Sequence, residues 1–182
     1  MDNLIRLWAW AVVLLSTATA RALVMAPLEI EQLAHKADLV VQGVVVSQTC
    51  RRDTAGRIFT EVEIELTEVW KGSASGKRLK VVMGGGLLDG RRTVVAGQVE
   101  YPSGEEVVGF FRINDRGEAV TIGLSQGKFR VQLDERTGEK LAVNPFHGAI
   151  QQTVAKSGAA DRSDGDGLTL QRLKRRVQGA AR

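Results

Sequence analysis

The chain has 182 residues, 43% of them hydrophobic, with 25 Lys and Arg against 21 Asp and Glu. That is enough apolar matter for one domain with a real core, and it excludes a disordered or fibrous chain. The single cysteine, Cys50, excludes an internal disulfide, so packing alone must hold the fold.

The net charge of +4 is gathered in one place. From Arg21 to Ile150 there are 17 basic and 17 acidic residues, whereas Gln151 to Arg182 carries seven basic residues against three aspartates. The body is neutral and is not read as a nucleic-acid binder.

Residues 1–20 read as a signal peptide. Arg6 gives a short positive lead, Leu7 to Leu15 is an unbroken apolar run, and Ala18-Thr19-Ala20 is a small-x-small cleavage site. The run is shorter than the roughly 20 apolar residues a stable span needs. A mature protein starting near Arg21 is expected to be secreted or periplasmic; the rival reading is an uncleaved anchor, because Asp2 weakens the positive lead.

Residues 21–150 are expected to form one β-barrel-like domain. Pro27 to Lys36 predicts a short helix, with Ile30, Leu33, Ala34 and Ala37 on one face and His35 and Lys36 in the last turn. Leu39 to Ser47 is apolar on both faces, which predicts a strand covered on both sides, with a bulge or a close backbone approach at Gly43. Asp53 to Gly56 is a polar turn. Ile58 to Trp70 alternates cleanly: Thr60, Val62, Ile64 and Leu66 point one way, Glu61, Glu63 and Glu65 the other. The phase slips near Thr67-Glu68, which predicts a bulge that lets one strand serve both sides of a small barrel.

Lys71 to Gly76 is a loop and Arg78 to Met83 the next strand. Gly84-Gly85-Gly86 reads as a flexible loop, and Val94, Val95 and Val99 suggest a weaker strand before the Pro102-Ser103-Gly104 turn. Glu106 to Ile113 is a strong strand. Asn114 to Gly117 has hairpin chemistry, with Ala119 to Leu124 pairing back. Lys128 to Leu133 and Leu141 to Val143 flank another turn. Residues 151–182 divide into a polar linker and a basic helix over Leu170 to Gln178, with Thr169 as N-cap.

No motif supplies a catalytic, cofactor-binding or metal-binding set, and none is assigned. The glutamate ladder reads as a solvated strand face. The triple glycine lacks the Lys-Ser/Thr of a phosphate loop. Asp161, Asp164 and Asp166 miss calcium-loop spacing, since Arg162 and Leu173 stand at ligand positions. Ser125 misses a nucleophile elbow by one residue.

Some residues do carry a resemblance. Ala37 to Val45, Thr60 to Ile64 with Val69-Trp70-Lys71-Gly72, Gly104 to Phe111 and Gly123 to Val131 resemble blocks of a group of exported bacterial proteins of unknown function. The early part is more distantly similar to the oligonucleotide/oligosaccharide-binding (OB) type of barrel in tissue inhibitors of metalloproteinases and netrin-like modules. Those inhibitors chelate the protease zinc with an N-terminal cysteine. Here the only cysteine is Cys50, so the inhibitory residues do not carry over.

The expectation is therefore a mainly β protein: a small bent antiparallel barrel, OB-like, or a sandwich, with a short N-terminal helix and a C-terminal helix. Its expected function is a secreted or periplasmic, non-catalytic binding module for an unknown protein or glycan partner. One alternative is an extracytoplasmic hydrolase using Cys50 or a serine with His147. Another is membrane-surface association through the basic C-terminal helix. A Cys50-linked dimer is a further expectation.

Overall fold

The computed structural model describes residues 27–147 and 167–180. The signal-peptide segment, the Asp161–Asp166 cluster and most of the polar linker lie outside the described residues. Helix α1 (Ile30–Lys36) leads into β1 (Leu39–Arg52) and β2 (Ile58–Lys71), followed by β3 (Arg78–Gly84). A short hairpin, β4 (Gly86–Leu88) and β5 (Arg91–Thr93), precedes β6 (Glu106–Ile113) and β7 (Ala119–Thr121). A 3-10 turn at Leu124–Gly127 leads to β8 (Lys128–Leu133) and β9 (Lys140–Val143), and helix α2 spans Leu170–Ala180.

Seven strands form one sheet in the order β1-β2-β3-β7-β6-β8-β9, and β1 also pairs with β6. The second pairing bends the sheet into a partly closed ring of β1, β2, β3, β7 and β6, so of the barrel and sandwich expected from the sequence the fold is the barrel-like one. All ladders in it are antiparallel except β3 with β7, which is parallel and rests on one residue pair, Val81 with Ala119.

The bend is built where the alternation slips. Gln42 pairs with Glu68 and Gly43 with Leu66, so Thr67 is the extra residue of a bulge. Gly43 sits at that step because a Cβ there would run into the Glu65 carbonyl oxygen and lie 2.7 Å from Ile64 Cγ2. Both sequence signals, the phase slip and the glycine, mark the same corner.

β1 and β6 are apolar on both faces because they divide two cores. Leu39, Val41, Val107 and Phe111 point into the barrel with Val62, Ile64, Val81 and Tyr101. Val40, Val108 and Phe110 point outward, where α1 and α2 cover them with Ile30, Leu33, Leu173 and Val177. Burying each such side chain contributes about 1.5–3 kcal/mol.

Local capping fixes both helices. Glu29 and Gln32 form a capping box at the start of α1, and Lys71 at the end of β2 donates to the Ala34 and Ala37 carbonyls at 2.7 Å, placing its charge at the helix C-terminus. Thr169 Oγ1 accepts from Arg172 N at 3.2 Å, the N-cap expected for α2.

Two stretches differ from the sequence reading. No strand runs through Val94–Val99; the strands lie just before it, as the β4–β5 hairpin. Strand β7 stops at Thr121, because Gly123 and Leu124 turn left-handed and start the 3-10 turn.

Candidate functional site

A cleft of about 930 Å³ lies beside the least closed part of the ring, where β3 meets β7. There β3 and β7 are joined by the single bridge from Val81 to Ala119. The β1–β2 turn walls the cleft on one side, the β6–β7 turn on another, and the segment from β5 to Val99 on a third.

The two turns are built alike. Asp53 accepts from the backbone N–H of Ala55 and Arg57 at 3.0 and 2.8 Å, and its other oxygen accepts from Arg57 Nε at 2.8 Å. Asn114 accepts from the N–H of Arg116 and Glu118, each at 2.9 Å, while its amide and Arg116 Nε both donate to Glu118 Oε2 at 2.8 Å. Each is an Asx turn that fixes an arginine beside a carboxylate. The Arg57 backbone N–H and then its guanidinium hold the Asp53 carboxyl below its usual pKa; the Asn114 amide and then Arg116 do the same for Glu118.

The third wall is the hairpin arm. Asp89 and Gly90 both have positive φ, 50° and 73°, the geometry of a two-residue type I′ turn. Gly86 lets the arm cross close over the barrel: its φ is +137°, and a Cβ there would lie 2.6 Å from both Cys50 Sγ and Thr60 Oγ1. Alternation along β5 splits its side chains. Arg91 faces the large cleft and Arg92 a second one of about 680 Å³, and Thr93 borders both. The arm leaves apolar surface in solvent, with Leu87 63%, Val94 74% and Val95 42% exposed.

The floor of the large cleft is aliphatic, from Ile58, Val82, Met83, Val95, Val120 and Leu124, and its rim carries Arg52, Arg57, Arg91 and Arg116. Arg52 reaches Asp89 at 3.4 Å, Arg57 pairs with Asp53 and Arg116 with Glu118. Among the described residues Arg91 has no acidic partner. An apolar floor under a guanidinium rim can hold an apolar body bearing negative charge.

The residues singled out in the sequence lie apart from this arrangement or do structural work. Cys50 is half-buried and borders the second cleft; its Sγ lies 3.4 Å from Thr60 Oγ1. Because Thr60 donates to the Gly85 carbonyl at 2.8 Å, the thiol is the donor in that contact. His147 stacks on Phe129 with ring centroids 5.4 Å apart, and burial lowers its pKa. No hydrogen bond joins His147 to Cys50 or to Ser125 among the described residues. His35 is exposed on α1.

The glutamate ladder is laced with cations. Glu61 pairs with Arg51 and with Lys80, and Glu63 with Arg78 at 3.4 Å. Among the described residues no cluster of three His, Cys, Asp or Glu could hold a metal ion.

The basic helix α2 turns part of its charge inward. Lys174 pairs with Glu68, and Arg176 grips both oxygens of Glu31 at 2.6 and 2.7 Å. Leu173 and Val177 are fully buried. No helix among the described residues is long and apolar enough to cross a membrane. No family model matches the chain, and no curated protein matches it either.

Proposed function

We propose that this protein is an extracytoplasmic, non-catalytic binding module that holds its partner in the cleft at the open end of the barrel. The observation that carries the proposal is the cleft itself: a cavity of about 930 Å³ with an aliphatic floor and an arginine rim, framed by two hydrogen-bonded Asx turns. Barrels of the OB type use the face of their second and third strands and the loops after the first and fourth as a binding surface. Here the matching elements are β2, β3, the β1–β2 turn and the β6–β7 turn. That support is by fold analogy, and the chemistry of the lining adds to it.

The test is a thermal-shift screen of the full chain against short peptides and oligosaccharides, run beside Val95→Arg and Arg175→Glu. A ligand that raises the melting temperature of the parent and of Arg175→Glu, but not of Val95→Arg, supports the cleft. A ligand that acts equally on all three, or fails only with Arg175→Glu, places binding elsewhere and overturns the proposal. Export is tested by the intact mass of protein recovered outside the cytoplasm, expected to begin at Arg21.

A further inference from the structure

We infer that the place where α1, α2 and the turn after β9 meet is an acid-operated clasp, in which protonation of His147 loosens α2 from the body. Three features on different elements point to it. The first is how the ring is held. The His147 N–H donates to the Asn144 carbonyl at 3.1 Å, and the amide of Asn144, itself buried, donates to the carbonyls of Ser125, Gln126 and Lys128. The imidazole lies on Phe129 with the two ring planes 23° apart. The backbone under the ring is thus fixed in place. Its Nε2 is buried and has no hydrogen-bond partner among the described residues. A neutral imidazole tolerates this, with its proton on Nδ1 and a lone pair on Nε2. An imidazolium does not, because both nitrogens then donate and the buried N–H carries charge.

The second feature is that both carboxylates facing the ring are already engaged. α1 brings Glu29 and Glu31 and α2 brings Arg176, while β8 contributes the Phe129 ring and the turn has no other ionisable side chain. Glu29 caps the first turn of α1, and Arg176 holds both oxygens of Glu31 at 2.6 and 2.7 Å. A protonated His147 therefore gains a partner only by drawing a carboxylate away from a helix, or by letting water in as the helices part. It also repels Arg176. Burial first, and Arg176 as well, keep its pKa below 6.5, so the ring takes its proton more readily once the layer has opened.

The third is which helix yields. α1 runs directly into β1 and is held at its C-terminus by Lys71. α2 is tied by two fully buried side chains, Leu173 and Val177, and by the ion pairs Lys174–Glu68 and Arg176–Glu31. A helix of 11 residues has little stability of its own, so α2 parts from the body before the sheet does.

The experiment is hydrogen exchange of the full chain between about pH 7.5 and 5.5, corrected for the intrinsic rate and read on α2, β1 and β2. Opening of α2 is expected to rise at least about threefold across that range, while β1 and β2 keep their protection. Glu31 and Glu68 stay ionised throughout, because Arg176 and Lys174 hold them below the usual carboxylate value of 4.5. His147→Gln, which cannot take the proton, should flatten the response of α2. His35→Gln, at an exposed position on α1, should respond as the parent does. The titration of His147, followed by NMR in the parent, should share its midpoint with α2 opening.

A flat α2 response in the parent, an undiminished response in His147→Gln, or equal loosening of β1 and β2 would each overturn the inference. Should His147→Gln fail to fold, the parent decides alone: a His147 midpoint that does not coincide with α2 opening would overturn it too.

Discussion

The two long faces of this barrel have been treated in opposite ways. On the outer face of β1 and β6, α1 and α2 bury Val40, Val108 and Phe110 beneath Leu33, Leu173 and Val177. At the other end, Val95, Val120 and Leu124 stay exposed in the large cleft, and Leu87 and Val94 stay exposed beside the second one. The same chain thus closes one apolar surface with two capped helices and leaves another uncovered under arginines. Closed surface holds the fold, while open surface rimmed by charge is where a partner can gain apolar contact.

The contrast is most directly broken by emptying the closed side. Leu173→Ala removes a fully buried side chain and is expected to cost about 2–5 kcal/mol in urea unfolding. Gly86→Ala probes the join between the arm and the barrel. It forces a Cβ against Cys50 and Thr60 at a backbone angle that alanine disfavours, and should cost about 1–3 kcal/mol. An unchanged midpoint would show that the arm does not bear on the barrel.

A smaller effect follows from His147, which lies by the helices. Burial first, and the Arg176 charge as well, hold its pKa below the ordinary 6.5, against the opposing pull of the Glu29 and Glu31 carboxylates and the Leu28 carbonyl. The unfolded chain therefore takes up this proton more readily than the folded one. The His147 contribution is complete above about pH 6.5 and is lost as pH falls through that value toward the folded pKa. Glu31 and Glu68, lowered chiefly by Arg176 and Lys174, lose their contribution only as pH falls below the usual carboxylate value of 4.5. Urea titrations between about pH 7 and 5 should slope in the parent and flatten in His147→Gln. The smallest change is expected on the open side: Val94→Ser should move stability by no more than about 0.5 kcal/mol.

How much of this could be read in advance depended on length and periodicity. The 14-residue strands β1 and β2 announce themselves by alternation, and their bulge by the slip at Thr67. The β4–β5 hairpin was missed because three-residue strands are too short to show a period, and the glycines before it read as a break. Its signal was Asp89-Gly90, a dipeptide made for a type I′ turn. Valines 94, 95 and 99 look alike in sequence, yet Val99 enters the barrel core while Val94 is in solvent; only tertiary placement separates them.

The cleft draws its walls from four stretches between Arg52 and Leu124 that no local pattern connects. What the sequence did show of it was the pair of turns at Asp53–Gly56 and Asn114–Gly117. Helix α2 was legible as amphipathic and basic, but its ion pairs to Glu31 and Glu68 join residues more than 100 positions apart.

That last separation has a consequence in time. The barrel interior draws its buried residues from Leu39 to Ala119, whereas the cluster under the helices is incomplete until Leu173 and Val177 arrive. As the chain emerges from the ribosome N-terminal end first, the ring can close well before its outer face is covered. Until then Val40, Val108, Phe110 and Phe129 form a sticky patch on a half-finished molecule. A chain cut short within the linker would keep that patch for good, so aggregation rather than loss of the barrel is the defect that truncation should produce.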